Sequence, residues 1–340
     1  MAVKEPCLPV KIAQLAFCTN DLPQTIRFYT EVFGFAGAGG NVVWGRWLAD
    51  IQGLGDDAAT AIGWLVGRQD LFQLEFFNHT LPAPRELPPD WRPSDYGWVR
   101  WGLTVPDFEP ALQRLCRAGV TTITEPQVHN GLRRVCFRDP FTQIVVEIME
   151  DGSALPGGIR PRHYDLVPAV VYATLSVADL DRACRFYVDT LGLSHDGVAL
   201  HNDEMEALWG LSGARSESFV VSAGDIYLEV VRYDDPAGRP RPTDYRLSDQ
   251  GFMNIAVGSR LRAQSEALIE RVRASGYRVN AELPGVAAGG TYVADGDGNS
   301  VEVICAPREF DSTFGFSPQP ALLRPPSWPA ATTGPAEAAP

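Results

Sequence analysis

The chain has 340 residues, enough for two domains of ordinary size; 45% are apolar, with no apolar run long enough to cross a membrane. A formal net charge of −13 repels phosphate backbones and argues against nucleic acid as a partner. Six cysteines lie far apart with no Cys-x-x-Cys spacing, which argues against a disulfide scaffold or structural zinc and for reduced thiols.

In chain order, a strand near Ile12 is followed by Asp21–Leu22, Arg27–Phe28–Tyr29 and Gly34–Phe35. A second module begins near Val99: a strand running to Asp107, then an amphipathic helix over residues 111–118, closed by a C-cap glycine, Gly119. The third begins near Val170. It repeats the first signature without a gap, 158 residues on, as Asp179–Leu180, Arg185–Phe186–Tyr187 and Gly192–Leu193. The fourth, near Met253, repeats the second, with a helix from Ala267 to Gly276. Each module continues as alternating apolar runs broken by Gly, Asn and Asp, the pattern of short antiparallel strands. The chain therefore reads as four tandem βαβββ modules of an α+β protein, two per half.

The halves are expected at residues 1–150 and 169–308, joined by a linker over 151–168 that carries Gly157 and Gly158. Pro-rich joins at 81–93 and 234–242 separate the modules within each half. Residues 92–96 (Arg-Pro-Ser-Asp-Tyr) echo residues 241–245 (Arg-Pro-Thr-Asp-Tyr). Residues 309–340 form a Pro/Ala-rich tail, its distal part from about Ser317 expected to be disordered and outside the fold. Gly39–Gly40 and Gly289–Gly290 lack the helix-opening context of a phosphate loop and read as turns. The first residues show no basic stretch followed by an apolar core, so a cytoplasmic location is expected.

The Asp-Leu…Phe-Tyr…Gly signature resembles the opening of the vicinal oxygen chelate superfamily, which holds glyoxalase I, extradiol dioxygenases, methylmalonyl-CoA epimerase and antibiotic-binding resistance proteins. The closing strands agree. Arg138–Asp139–Pro140 with Val146–Glu147, and residues 294–302, resemble its Asp-Pro-Asp-Gly-Asn-x-x-Glu ending. The likeness spans about residues 10–306. It implies modules paired into two curved mixed-sheet half-barrels. Each would enclose a cavity where a divalent metal (Mg, Mn, Zn or Fe) is held by residues of first and last strands. A metal with open positions can grip vicinal oxygens of a substrate and act as a Lewis acid.

Carried onto this sequence, the first-strand positions are Gln14, Arg100, Tyr172 and Asn254, and the last-strand positions are Glu75, Glu147, Glu229 and Glu302. Four glutamates in register within apolar strands need a cation, a proton or a hydrogen-bond partner if they face a cavity. Asp139 to Glu147 is one residue longer than Asp295 to Glu302; the turn is expected to absorb it, because otherwise Glu147 would face away. No first-strand position is histidine. His79, His129, His163, His195 and His201 are expected in solvated loops, with His195 and His201 as outside candidates for acid–base work. An iron site of two histidines and a carboxylate is thus not supplied.

Two pairings remain open. Sequence-order pairing places Gln14, Glu75, Arg100 and Glu147 in one cavity and Tyr172, Glu229, Asn254 and Glu302 in the other. Exchanged pairing gives an all-oxygen metal set, Gln14, Glu75, Asn254 and Glu302, suited to a hard ion such as magnesium or manganese. It leaves Arg100, Glu147, Tyr172 and Glu229 as a metal-free acid–base group. Arg100 there is either a clamp for a substrate carboxylate or an ion-pair partner of Glu147. Most of Trp44, Trp47, Trp64, Trp98, Trp101 and Trp209 are expected in packing, a few in cavity walls.

The expected function is metal-assisted proton transfer alpha to a carbonyl, of isomerase or lyase type, on a small, bulky or aromatic oxygenated molecule. Glu75 or Glu302 would be the base. The alternatives are a non-enzymatic binding or resistance protein and a ring-cleaving dioxygenase. The expected assembly is a monomer or homodimer, with no nucleic-acid or membrane partner.

Overall fold

The computed structural model describes residues 10–152, 155, 163–283 and 288–320. The first module runs β1 (Lys11–Cys18), α1 (Leu22–Phe28), β2 (Ala36–Trp44), α2 (Arg46–Gln52), β3 (Ala59–Val66) and β4 (Gln73–Leu81). The second runs β5 (Gly97–Val105), α3 (Phe108–Arg117), β6 (Gln127–His129), β7 (Leu132–Arg138) and β8 (Val145–Glu150). The third comprises β9 (Ala169–Ser176), α4 (Leu180–Cys184), β10 (Ser194–Asp196), β11 (Arg215–Ala223) and β12 (Ile226–Asp235). The fourth comprises β13 (Gly251–Ser259), α5 (Arg262–Ala274), β14 (Arg278–Val279), β15 (Gly289–Ala294) and β16 (Ser300–Cys305).

The signature residues do local structural work. Asp21 and Asp179 cap their helices by accepting from the N–H of Gln24 and Arg182, at 3.1 and 2.9 Å. Each helix widens into a π-turn, Tyr29–Phe33 or Arg185–Thr190. Gly34 and Gly192 then reverse the chain at φ of +83° and +80°, a conformation other residues adopt only with strain. The signature tyrosines reach the closing turns of the next module. Tyr29 donates to Asp139, and Tyr187 donates to Asp295 at 3.2 Å.

The strands form two eight-stranded mixed sheets, ordered β14-β15-β16-β13-β1-β4-β3-β2 and β10-β11-β12-β9-β5-β8-β7-β6. The first sheet joins modules one and four, and the second joins modules two and three. The exchanged pairing is therefore the one formed. Sheets cross between the sequence halves, while the tyrosine–aspartate contacts tie modules within each half.

The faces sort by strand alternation. Leu15 and Phe17 of β1, Leu74 and Phe76 of β4, Val146 and Ile148 of β8, and Val301 and Val303 of β16 enter one large apolar core with the helices. Their neighbours of opposite parity face the two concave surfaces. On β5 and β13 the register slips between Trp98 and Arg100 and between Phe252 and Asn254. The slip lets Trp98 and Phe252 enter the core while Arg100 and Asn254 turn to the concave side.

Several expectations are corrected. Gly289 and Gly290 are not a turn; they pair with Cys305 and Ile304 as the start of β15. Gly39 and Gly40 lie within β2, at a register slip between Gly37 and Gly40. The echo between the Pro-rich joins has a different register. Arg92 and Arg246 each bond the aspartate three residues on, Asp95 or Asp249, and also the carbonyl of Ala237 or Ala83. Arg85 and Arg239 clamp those same aspartates from the opposite join. Arg92 therefore corresponds to Arg246, not Arg241. The start of the tail is packed: Gln319 bonds Gly37, and Phe316 is buried with Leu71, Ala256 and Ile304. Residues 321–340, with Gly157 and Gly158, lie outside the described residues.

Candidate active sites on the two sheets

The register places the eight first- and last-strand residues identically in all four modules. The parallel pairs are Glu75 with Ala16, Glu147 with Gly102, Glu229 with Thr174 and Glu302 with Ala256. Each opposes the residue two positions after the first-strand position. The antiparallel seams β1–β13 and β5–β9 then bring one more residue into each row. The rows read Glu75–Ala16–Asn254, Glu302–Ala256–Gln14, Glu147–Gly102–Tyr172 and Glu229–Thr174–Arg100. Glu147 lies on the concave face. The extra residue is absorbed within its turn, where the Asp139 N–H closes on the Ile144 carbonyl while the shorter matching turn closes Asp295 on Asn299.

On the first sheet Gln14, Glu75 and Glu302 meet. The Gln14 side-chain nitrogen donates to Glu75 Oε2 at 2.6 Å and to Glu302 Oε2 at 3.0 Å. Trp64 Nε1 donates to the other oxygen of Glu75 at 2.7 Å. Among the described residues no arginine, lysine or histidine lies within ion-pair distance of either carboxylate. Burial, then the charge of Glu302, raises Glu75 well above the usual carboxylate range, although the Trp64 and Gln14 hydrogen bonds oppose the shift. Burial likewise pushes Glu302 up to about 7, against hydrogen bonds from Gln14 and Tyr292. The pair therefore holds a proton near neutrality.

Asn254 occupies the position equivalent to Gln14 but is one methylene shorter. It does not bridge the carboxylates. Its Nδ2 bonds the Ile255 carbonyl at 3.0 Å, and its Oδ1 is buried without a partner.

This donor set suits a hard divalent cation better than a soft one. It offers four carboxylate oxygens and an orphaned Asn254 oxygen, with the Gln14 oxygen 2.7 Å from the Gln73 amide, in a place to which no described residue brings positive charge. Among the described residues no group of three or more His, Cys, Asp or Glu side chains is arranged to hold a metal ion, so carboxamide oxygen would have to complete the shell.

The second sheet brings Arg100, Glu147, Tyr172 and Glu229 together, with partners the strand positions do not include. Arg100 donates to Glu229 at 2.6 Å and to Tyr233 Oη at 2.8 Å, and its guanidinium stacks 4.0 Å from the Trp209 ring. The ion pair expected for Arg100 is with Glu229, while Glu147 takes Arg134 at 3.2 Å. Tyr172 donates to Glu147 at 2.5 Å, and Thr174 to Glu229 at 2.9 Å.

His201 stands between the two glutamates, with Nδ1 2.9 Å from Glu229 and Nε2 3.0 Å from Glu147. Burial lowers the affinity of an imidazole for its proton, but here the two carboxylates overcome it and the His201 pKa is raised. Burial would raise both glutamates, yet Arg134 and His201 hold Glu147 down to about 2, and His201 and Arg100 hold Glu229 lower still. Isolated buried ions are costly by several kcal/mol each, so this site is stable only because every charge is matched.

Sequence reasoning missed His201 as a buried site residue, and it missed Arg134 and Glu206, which accepts from Tyr233 at 3.0 Å, altogether; Trp209 is one of the tryptophans expected in packing or a cavity wall. His201 and the 3-10 turn Asp203–Trp209 come from the long connection between β10 and β11, which the repeat does not predict. The matching connection in the first module forms α2, whose Gln52 bonds His79 at 3.1 Å. His79 is not in a solvated loop. It is buried on β4 beside Cys18, and burial lowers its pKa to about 4. His195 is exposed on β10, next to Cys184 at 3.5 Å and far in role from the carboxylates. Of the tryptophans, Trp64 and Trp209 enter the sites, Trp98 and Trp101 the core, and Trp44 and Trp47 are exposed.

The family model for the Glyoxalase/Bleomycin resistance protein/Dioxygenase superfamily matches residues 11–148 and 169–303. The chain belongs to this superfamily. Among solved structures, it is similar to a "putative dioxygenase" from Bacillus subtilis subsp. subtilis str. 168, with 16% identity and a TM-score of 0.59 over 92% of this chain and 91% of that one. It is also similar to glyoxalase I from Zea mays, with 16% identity and a TM-score of 0.52 over 87% and 92%. At such identities the likeness is one of fold. The search of curated proteins gave no match. No helix among the described residues is long and apolar enough to cross a membrane.

Proposed function

We propose that this superfamily member is an enzyme of isomerase or lyase type. It would move a proton at a carbon alpha to a carbonyl in a small oxygenated molecule, at the Glu75–Glu302 pair. The observation that carries this reading is two buried carboxylates, without a cationic side chain among the described residues, that hold a proton near pH 7. A general acid–base group is most effective when its pKa lies near the working pH. One carboxyl of the pair can accept the substrate proton while the Gln14 amide holds both in line. Trp64 fixes the far oxygen of Glu75, and Tyr292 supports Glu302. A bound magnesium or manganese ion would be held by Glu75, Glu302, Gln14 and the free oxygen of Asn254, and would supply Lewis-acid stabilisation of an enolate oxygen.

The self-neutralised group on the second sheet is assigned a structural part. Each of its carboxylates already has a guanidinium and an imidazole partner, which leaves none poised to take a proton near neutral pH. The only imidazole in that group spans two carboxylates, and the first site has none in its donor set, which weighs against a two-histidine iron site.

The test is calorimetric titration of Mg2+ or Mn2+ into chelator-treated protein, in two buffers of different ionisation enthalpy. Binding should release about one proton near neutral pH, because the ion replaces the shared proton. Glu75→Gln and Glu302→Gln should each weaken binding at least tenfold and abolish the proton release. Wild-type affinity in both variants would overturn the assignment of the site. Turnover undiminished in metal-free protein would overturn the metal's part.

A further inference from the structure

The two Pro-rich joins meet across the pseudo-twofold axis and enclose a groove of about 340 Å³, remote in role from both glutamate pairs. Its walls are aromatic. Trp91 and Tyr245 are equivalent residues of the two joins, each capped by a guanidinium, Arg138 at 5.2 Å and Arg241 at 4.5 Å from the ring centroid. Trp98 and Phe252, also equivalent, line it too. The size falls within the usual range for a small-molecule pocket.

The groove departs from its own symmetry at one position. The corrected register sets Arg241 opposite Leu87. Leu87 packs near Gly251; Arg241 packs so closely on Gly97 that a Cβ there would meet its guanidinium at 2.2 Å. The other arginines of the groove are committed. Arg85 bonds Asp244 and Asp249, and Arg239 bonds Asp90 and Asp95. Arg241 has no carboxylate within ion-pair distance among the described residues; its guanidinium lies over the Tyr245 ring and packs on Gly97.

We propose that this groove binds a planar aromatic carboxylate. The ring lies among Trp91, Trp98, Tyr245 and Phe252, and the carboxylate takes the fork of Arg241. A guanidinium matches a carboxylate by two parallel hydrogen bonds, and aromatic walls match a planar ring. A multiply charged anion fits poorly. One guanidinium is free, while the exposed Glu86 and the paired Asp90, Asp95 and Asp249 surround it with negative charge.

The probes are 1-naphthoate, its uncharged amide and inorganic phosphate, titrated into the full chain and followed by quenching of tryptophan fluorescence with calorimetry for stoichiometry. The expected result is one naphthoate per chain, at least tenfold weaker amide binding and no competition by phosphate. Arg241→Gln should weaken naphthoate at least tenfold and leave the amide unchanged. Arg241→Lys, which keeps the charge but not the fork, should fall between. Glu302→Gln should bind naphthoate like the wild type, which separates this groove from the carboxylate pair. Equal affinity for acid and amide, wild-type binding by Arg241→Gln, loss of binding in Glu302→Gln, or no saturable binding would each overturn the proposal. If Arg241→Gln failed to fold, the acid–amide difference and the lysine variant would still decide it.

Discussion

Replacing Glu302 by glutamine should make the metal-free protein more stable than the wild type as the pH rises. Burial lifts the Glu302 carboxyl from 4.5 to about 7, against hydrogen bonds from Gln14 and Tyr292. A carboxyl whose folded pKa is raised does no harm while it is protonated in both states. Above the unfolded value the unfolded chain gives up its proton and the folded chain does not, so folding loses stability until the folded value is passed. The interval from 4.5 to about 7, at about 1.4 kcal/mol per pH unit, amounts to about 3 kcal/mol. Between about pH 5 and about pH 8.5, roughly 2–3 kcal/mol of this falls within reach of measurement. Glutamine keeps an acceptor for Gln14 and Tyr292 but cannot ionise. Urea unfolding in excess chelator at the two pH values gives the test. The free-energy difference between Glu302→Gln and wild type should move in favour of the variant by that amount. Any loss from altered hydrogen bonding appears equally at both pH values and cancels. A difference that does not change with pH would refute the proton-sharing pair, and with it the proposed acid–base role.

Three further outcomes follow from other parts of the structure. His201→Ala leaves Glu147 and Glu229 without their shared partner and should cost about 3–5 kcal/mol. The His201 pKa is raised on folding, so the loss should be full below its unfolded value near 6.5 and shrink as pH rises through the folded value; denaturant unfolding across that range checks both size and sign. Tyr29→Phe removes the hydrogen bond to Asp139, which still accepts from the backbone N–H of Phe141 and Thr142, and should lower stability by about 1.5–3 kcal/mol in chemical denaturation. Gly315→Ala adds a Cβ 2.4 Å from the Trp64 ring and 2.5 Å from Gln73, at φ +76°. It should cost about 1–3 kcal/mol, shift the tryptophan emission and increase proteolysis after Pro307. An unchanged cleavage rate would mean that this segment is not held by its packing on Trp64.

The scaffold was legible because its determinants are local and repeated. Asp21 and Asp179 cap helices, Gly34 and Gly192 turn the chain, and strand parity sets Glu75, Glu147, Glu229 and Glu302 on one face. These act within a few residues, so a single sequence records them. Pairing of the modules was not legible, because β1 can meet either β5 or β13 with similar apolar faces; the choice rests on many weak contacts across the whole chain. The second site was half legible for the same reason. Arg100 and Tyr172 follow from strand positions, whereas His201 and Trp209 arrive from a connection whose length differs among modules. The false echo of residues 92–96 in 241–245 shows the converse error. Five similar residues in a Pro-rich join carry less information than one salt bridge, and the Arg85–Asp249 and Arg239–Asp95 clamps set the true register.

The two sheets offer the same four rows and resolve their charge in opposite ways. On each, a nitrogen bridges the paired glutamates: the Gln14 amide on the first sheet and the His201 imidazole on the second. An amide brings no charge, so the first pair can lower its repulsion only by taking a proton or a cation from outside. An imidazolium, joined by Arg100 and Arg134, brings its own charge and leaves the second pair nothing to acquire. Folding stability favours the second arrangement, since each buried carboxylate has a matched partner. Keeping the first pair unmatched costs about 3 kcal/mol above neutral pH, on the shift of Glu302 alone. A chain that could have placed an arginine at Gln14, as it does at the equivalent Arg100, instead keeps a buried carboxylate pair with no cationic side chain beside it among the described residues. The proposed division, chemistry on the first sheet and a structural part on the second, rests on that asymmetry between equivalent positions more than on the presence of either glutamate.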